Sequence, residues 1–395
     1  MKKKLNIATV FSGIGSVEYA LKRMNVPHNI VFACDNGEVE LEDIDDQEVW
    51  ETIKEQENKQ DKKQVVDDLY KNHTRKTNFV KKTYFANYNI DEEQWHHDIR
   101  FIDGTDYRGE VDLFVGGSPC QSFSIMGYQK GLDDARGTLF YDYARLVKEI
   151  QPKVFIFENV QGIRKHDKGN TWEIVSNVFN DLGYKIHSQI LDAVDYGIPQ
   201  KRRRIFIVGF KDETIDFEFP KPISNIDTID HHMQDLLLNK IPFGKLNVKD
   251  NGMLNLAWNG EGERVDERHF LSEKVLKHVM SPGTKGYYTK PEIDLKIARP
   301  LLSTMHKMHR AGVDNYVTDP FVGKVRRLTP RECLRLMGYD DDFEQVVSDT
   351  QMYRQAGNSI VVDVFIHLLK QIDNYEKILP NDHERIEEHK KEAIV

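Results

Sequence analysis

Cys120 stands in VGGSPCQSFS, just past a short apolar run and directly after Pro119. A cysteine beyond a strand's carboxyl end, in a loop shaped by Gly and Pro, sits where open α/β sheets place their chemistry. As a thiolate it would be a nucleophile. A lone Cys more often packs as a small apolar side chain, and the Pro-Cys pair alone leaves that reading open. Glu158 closes the apolar run at 154–157; it is either the polar end of a strand or a carboxyl placed to hold a proton. Arg202 and Arg204 alternate, so they share one strand face, either as a solvated edge or as a pair of cationic donors. Near the start, FSGIGS places Gly13 and Gly15 at a strand-to-helix turn, which is a plain tight turn or a place where a ligand approaches the backbone. Asp35 follows the next apolar run and is placed to accept hydrogen bonds from ribose hydroxyls. His306 and His309 have no accompanying carboxylate or Cys cluster, which favours polar contacts over a metal site.

The elements that must hold these groups alternate between short apolar runs and helical spacing. Strands are expected at 5–11, 30–33, 95–99, 111–115, 154–157, 185–191 and 205–208, with Gly116 and Gly117 ending the fourth. Helices are expected at 17–24, 139–150, 172–182 and 272–280. A capped helix should begin at Thr329, and a last helix should open at Asn358–Ser359. Strands alternating with helices imply a parallel α/β sheet.

At 395 residues with 39% hydrophobic content, the chain is long enough for two domains with a real core. Cys34, Cys120 and Cys333 are widely spaced, which argues against structural zinc and disulfides and fits a reducing cytoplasm. No stretch is long and apolar enough for a membrane span, and the basic opening lacks a cleavage pattern. The net charge of −9 alone argues against a nucleic-acid partner. However, residues 36–77 hold thirteen acidic and seven basic residues and so contribute −6 of it. Basic clusters at 201–204 and 324–335 remain for phosphate contacts.

GGSPCQSFS followed by GLDDARGTLF closely resembles the nucleophile loop of the cytosine-C5 DNA methyltransferases. Further blocks between Thr9 and Ile360 resemble that family in its usual order, including ENV at Glu158 and Arg-x-Arg at Arg202 and Arg204. The resemblance implies a Rossmann-like S-adenosylmethionine-dependent domain with a smaller, variable target-recognition domain. It makes Cys120 the nucleophile that adds to cytosine C6, Glu158 the acid at N3, and Arg204 the group at O2, with Arg202 positioning the loop or Glu158. Glu158 is expected to be kept neutral by burial and its neighbours. The cofactor would lie against Phe11, Gly13, Ile14, Gly15, Asp35, Asp98, Ile99, Gly117, Pro119, Leu139, Asn358, Ser359 and Ile360. The family usually has Glu and then an aromatic residue where this chain has Asp35 and Asn36, so the adenine's second contact is not supplied by the resemblance.

Duplex DNA is the implied partner, with the target base flipped out. Ser124, Met126 and Arg136 are the implied DNA contacts, on a loop, 122–136, that would close over the base. The implied organisation is a catalytic domain at 1–210, recognition at 211–323, an organising segment at 324–354, a returning helix at 355–379 and a charged tail at 380–395. The stretch 36–78 reads as a solvated helical insertion, or a partly disordered one, that chemistry can do without. A monomer is expected; a separately acting restriction endonuclease is left open. A tRNA methylase on the same scaffold carries a Cys-Phe-Thr signature, but no Cys lies between Cys120 and Cys333. A dead DNA-binding regulator would not need the intact Cys, Glu and Arg set.

Overall fold

The computed structural model describes residues 4–41, 44–118, 139–284 and 287–379. A seven-stranded sheet has the order β3-β2-β1-β4-β5-β7-β6. Five strands pair in parallel: β1 (Leu5–Val10), β2 (His28–Cys34), β3 (Trp95–His96), β4 (Leu113–Gly116) and β5 (Val154–Val160). β7 (Arg203–Phe210) runs antiparallel to both β5 and β6 (Lys185–Asp192). The strand order switches direction between β1 and β4, which leaves a crevice at their carboxyl ends, the usual ligand position in open α/β sheets.

Alternation along each strand sends side chains to two separate cores. Leu5, Ile7, Leu113, Val115, Val154, Ile156, Phe206 and Val208 face one way. Ala8, Val10, Phe114, Phe155, Phe157, Ile205 and Ile207 face the other. The first face is covered by α1 (Ser16–Arg23) and, beyond two insertion helices α2 (Asp46–Lys54) and α3 (Lys59–His73), by α4 (Phe79–Asn87). The second is covered by α5 (Leu139–Ile150) and α6 (Asn170–Asp181). The chain then passes through α7 (Glu273–Val279), α8 (Pro330–Arg335) and α9 (Asp349–Asn358) before α10 (Val362–Tyr375) returns to the first face. There Arg23 pairs with Asp363 at 2.7 Å, both side chains buried, and also donates to the carbonyls of Gly338 and Gly252.

Several expected boundaries move. Gly116 belongs to β4 rather than ending it, because it is paired in the ladder with Val10 and Phe157. β5 continues through Glu158, Asn159 and Val160, held by the ladder to Ile205 and Arg204. Asn358 ends α9 and Ser359 caps it, so the last helix opens only at Val362. Thr329 does cap α8, with Glu332 reaching back to its N–H at 2.7 Å in a capping box.

The acidic insertion is not a solvated appendage. Val49 and Ile53 of α2 and Val66 and Tyr70 of α3 share a core with Val39 and Phe101. Lys62 reaches Asp103 at 2.7 Å and Asp106 at 2.9 Å, and Asp46 meets Arg100 at 2.9 Å. Lys62 of α3 and Asp46 of α2 thus dock the insertion against the turn after β3.

The basic run at 324–335 is likewise not a phosphate patch as a whole. Arg326, Arg331 and Arg335 are buried. Arg326 pairs with Asp319 at 3.1 Å and Glu332 at 2.8 Å, and Arg335 with Asp341 at 2.7 Å. Sequence shows the cations but not the carboxylates that cover them. Of the 211–323 stretch, Met233, Leu236, Leu246 and Leu254 pack into the main core. A small separate cluster forms around Val279, Ala311 and Tyr316, with Leu271, Val275, Ile293 and Val325 against it.

Candidate active site

Glu158 and Arg204 meet because of strand register. Glu158 pairs across the ladder with Phe206, and Val160 with Arg204, so Glu158 and Arg204 are diagonal neighbours on one face. Arg204 Nε lies 3.0 Å from Glu158 Oε1, an ion pair that lacks hydrogen-bond geometry. Burial raises the Glu158 pKa, while Arg204 and then Arg202 pull it down; the net shift is upward. The expectation that the neighbours help keep Glu158 neutral is thus corrected: burial raises its pKa, and the neighbouring arginines oppose that rise.

Gly117 is the third part of this corner. A Cβ there would stand 2.7 Å from the Glu158 carbonyl and 2.9 Å from Oε2. Only the bare backbone lets the end of β4 lie against this carboxyl. One residue on, the Asn159 side chain donates to the Ser118 carbonyl at 2.8 Å and fixes the point where the chain leaves for Pro119. Pro119, Cys120, Ser124, Met126 and Arg136 lie outside the described residues, as does the loop at 122–136.

Arg202 is placed differently from its expected partner role. It precedes β7 and is buried, and its guanidinium donates to three carbonyls: Leu301 at 2.9 Å, Gly357 at 2.8 Å and Ser359 at 2.8 Å. It acts on Glu158 through charge alone, and its hydrogen bonds tie the β7 entrance to the segment before α10. Arg203, between them, turns outward and meets Asp192 at 3.1 Å.

At the other side of the crevice, Phe11 adopts a left-handed φ of 53°, a conformation an aromatic residue rarely takes without an external reason. Gly13 and Gly15 are left-handed too, and a side chain on Gly15 would overlap the Tyr88 ring. Tyr88 in turn donates to the carbonyls of Ile14 at 2.8 Å and Gly15 at 2.6 Å. Asp35 accepts the Gly13 N–H at 2.9 Å and the Gly37 N–H at 2.8 Å, which aims its carboxylate at the turn. Its pKa is raised by burial, opposed by those two donors. The Asp35 N–H donates to the His96 carbonyl at 3.2 Å, so the ends of β2 and β3 are joined and Asp98 lies beside them. The glycine turn, Phe11 and two carboxylates fit a nucleoside with hydroxyl and amine donors, as S-adenosylmethionine has.

The remaining expected cofactor residues divide by burial. Ile14 and Ile99 are in the two cores, so only their backbone can face a ligand. Leu139 and Ile360 are partly buried at core edges. Ser359 exchanges a hydrogen bond with Tyr339 at 3.0 Å, and Asn358 donates to Glu38 at 3.4 Å. Glu38 also pairs with Arg354, which straps the loop after Asp35 to α9. His306 and His309 contact the Ser303 carbonyl and the Thr304 hydroxyl.

Sequence reasoning missed Glu18. It is buried under the glycine turn, accepting from Thr9 at 2.8 Å and Tyr84 at 2.7 Å, and burial raises its pKa. An acid on the buried face of an amphipathic helix was the available signal.

A model of the C-5 cytosine-specific DNA methylase family matches residues 73–374. The chain is similar to type II methyltransferase M.HhaI of Haemophilus parahaemolyticus, with 37% identity over 280 residues, covering 66% of this chain and 75% of that one. It is also similar to M1.ScrFI of Lactococcus lactis subsp. cremoris, at 34% over 298 residues, covering 74% and 69%. With orphan methyltransferase M.SPRI of Bacillus phage SPR the identity is 27% over 470 residues, covering 93% and 97%. Among solved structures, S. pombe Dnmt2 methyltransferase superposes with a TM-score of 0.60 at 19% identity, over 94% of this chain and 99% of that one. A putative DNA modification methyltransferase from an E. coli prophage gives 0.57 at 20%, over 95% and 100%. At such identities these two speak for the fold alone.

Proposed function

Since the chain belongs to the C-5 cytosine-specific DNA methylase family and is a DNA cytosine methyltransferase, we propose that it methylates a flipped-out cytosine at a specific duplex site. The observation that supports this reading best is the corner formed by Glu158, Arg204 and Gly117 at the ends of β5, β7 and β4. Cytosine C5 is a poor nucleophile until a thiolate adds at C6. Cys120 is the proposed nucleophile, on the family resemblance and its place in the chain directly after Pro119.

Addition drives electron density onto the ring, and N3 must receive a proton. Glu158, its pKa raised by burial, is the proton source, and Arg204 holds both its carboxyl and the base O2. When bound against Phe11, the glycine turn, Asp35 and Asp98, S-adenosylmethionine supplies an electrophilic sulfonium methyl. C5 bonds to that methyl as the methyl–sulfur bond breaks; water then takes the C5 proton, Cys120 leaves C6 as thiolate, and N3 returns its proton to Glu158.

A role in restriction–modification follows from the type II methyltransferases it resembles. The reading is tested by transfer of labelled methyl to duplex DNA and to tRNA. Duplex labelling is expected; labelling of tRNA alone would replace the reading with the tRNA methylase. Cys120→Ser should abolish transfer while cofactor still binds. Duplex with 5-fluorocytosine at the target should trap the wild type covalently, and an adduct forming equally in the Ser variant would remove Cys120 from its role.

A further inference from the structure

We propose that the acidic insertion is a working wall of the cofactor site, with Tyr70 a positioning residue that holds Asp98 in place to receive the cofactor's adenine amine. The proposal rests on the cofactor reading of Asp98 given above. The family match begins only at residue 73, so α2 and nearly all of α3 lie ahead of it.

Four contacts bring the insertion onto the turn that carries Asp98 and Ile99. The Tyr70 hydroxyl donates to Asp98 Oδ2 at 3.0 Å. The Tyr70 ring stacks on His97, with centroids 4.9 Å apart and planes 20° apart. Asp46 of α2 pairs with Arg100 at 2.9 Å, and Arg100 Nη2 holds Asp98 Oδ2 at 2.8 Å. Trp50 lies under Arg145 of α5, whose guanidinium donates to the carbonyls of Ile99 at 2.9 Å and Ile102 at 2.7 Å. The turn is thus clamped between α5 and the insertion.

A carboxylate offers about four lone-pair positions. On Oδ2, Tyr70 and Arg100 Nη2 take both. On Oδ1, the Arg100 N–H takes one at 3.0 Å. The second meets only Arg100 Nε, which is shared with Oδ2 at 3.2 Å to each and is the weakest of the set. Tyr70 therefore fixes the carboxylate's rotation, and the shared Arg100 Nε contact on Oδ1 is the one an incoming amine donor would displace. Without the hydroxyl, Asp98 is free to turn further into the Arg100 fork.

Tyr70→Phe keeps the ring, its stacking and the insertion core. Its affinity for S-adenosylhomocysteine, measured by calorimetry without DNA, should fall about three- to tenfold, the worth of one hydrogen bond. DNA affinity should stay at its wild-type value, and the unfolding midpoint should fall by no more than the worth of that one hydrogen bond. Asp46→Asn should weaken cofactor binding in the same direction, and Tyr70→Phe should add nothing in an Asp98→Asn background. Wild-type affinity in Tyr70→Phe, with Asp98→Asn weakened, would overturn the positioning role and leave the cofactor reading standing. Wild-type affinity in Asp98→Asn would remove that reading and the proposal together. A parallel loss of DNA affinity and unfolding midpoint in Tyr70→Phe would show a general structural role and also overturn it.

Discussion

Glu158 is held between two opposing influences, and its proposed chemistry depends on which prevails. Burial favours the neutral acid, and the arginines favour the carboxylate, with burial the larger. The acid is the working form, so single-turnover methyl transfer should fall as pH rises through its raised pKa. Glu158→Gln should remove that limb and slow transfer by about 10²–10⁴-fold. A rate–pH profile of the variant that retains the limb would assign it to another group. Gly117 gives an independent test, since Gly117→Ala places a methyl against Oε2 without replacing the acid itself. Single-turnover transfer at saturating cofactor should drop at least about tenfold, as expected from a displacement of the acid by a fraction of an ångström. An Ala variant with the wild-type rate would mean that the corner has slack.

At the level of elements, Arg202 and Arg204 look equivalent in the sequence and are not equivalent in the fold. Arg202→Met should lower stability by roughly 3 kcal/mol or more, because three buried carbonyls lose a charged donor. Arg204→Met should leave the denaturant midpoint near wild type and lower transfer by about 10²–10³-fold. Equal midpoints for the two variants would contradict this division. The difference was not legible because the partners of Arg202 lie 99 to 157 residues away in the chain. What was legible is what short-range pattern encodes: the strand alternation, the helix cap at Thr329, the glycine turn and the carboxyls at strand ends. The insertion was misread for the same reason as Arg202. Its charges look solvated until Asp103, Asp106 and Arg100 are seen against it.

At the scale of the whole molecule, the site is shared between the sheet and a stretch that leaves it and returns. Residues 233–254 and 298–305 are anchored in the main core, so exchanging all of 211–323 would disturb the catalytic part. Exchanging only 264–294 and 306–315 with a relative of different target should move the methylated site, read by bisulfite sequencing, while Glu158 chemistry is retained. A folded chimera that marks the original site would place base readout elsewhere. Among the described residues no helix is long and apolar enough to cross a membrane.

Arg202 also has a consequence in time. Its farthest carbonyl partner, Ser359, is 157 residues downstream. At about 5–20 residues per second, a ribosome needs roughly 8 to 30 s to deliver the second after the first. Through that interval the buried cation has no complete set of acceptors, and Arg23 likewise waits for Asp363. A nascent or prematurely terminated chain therefore has the chemical groups of a methylase without the frame that holds them. A chain that stops before α10 is expected to transfer no methyl group, read with labelled cofactor and duplex DNA.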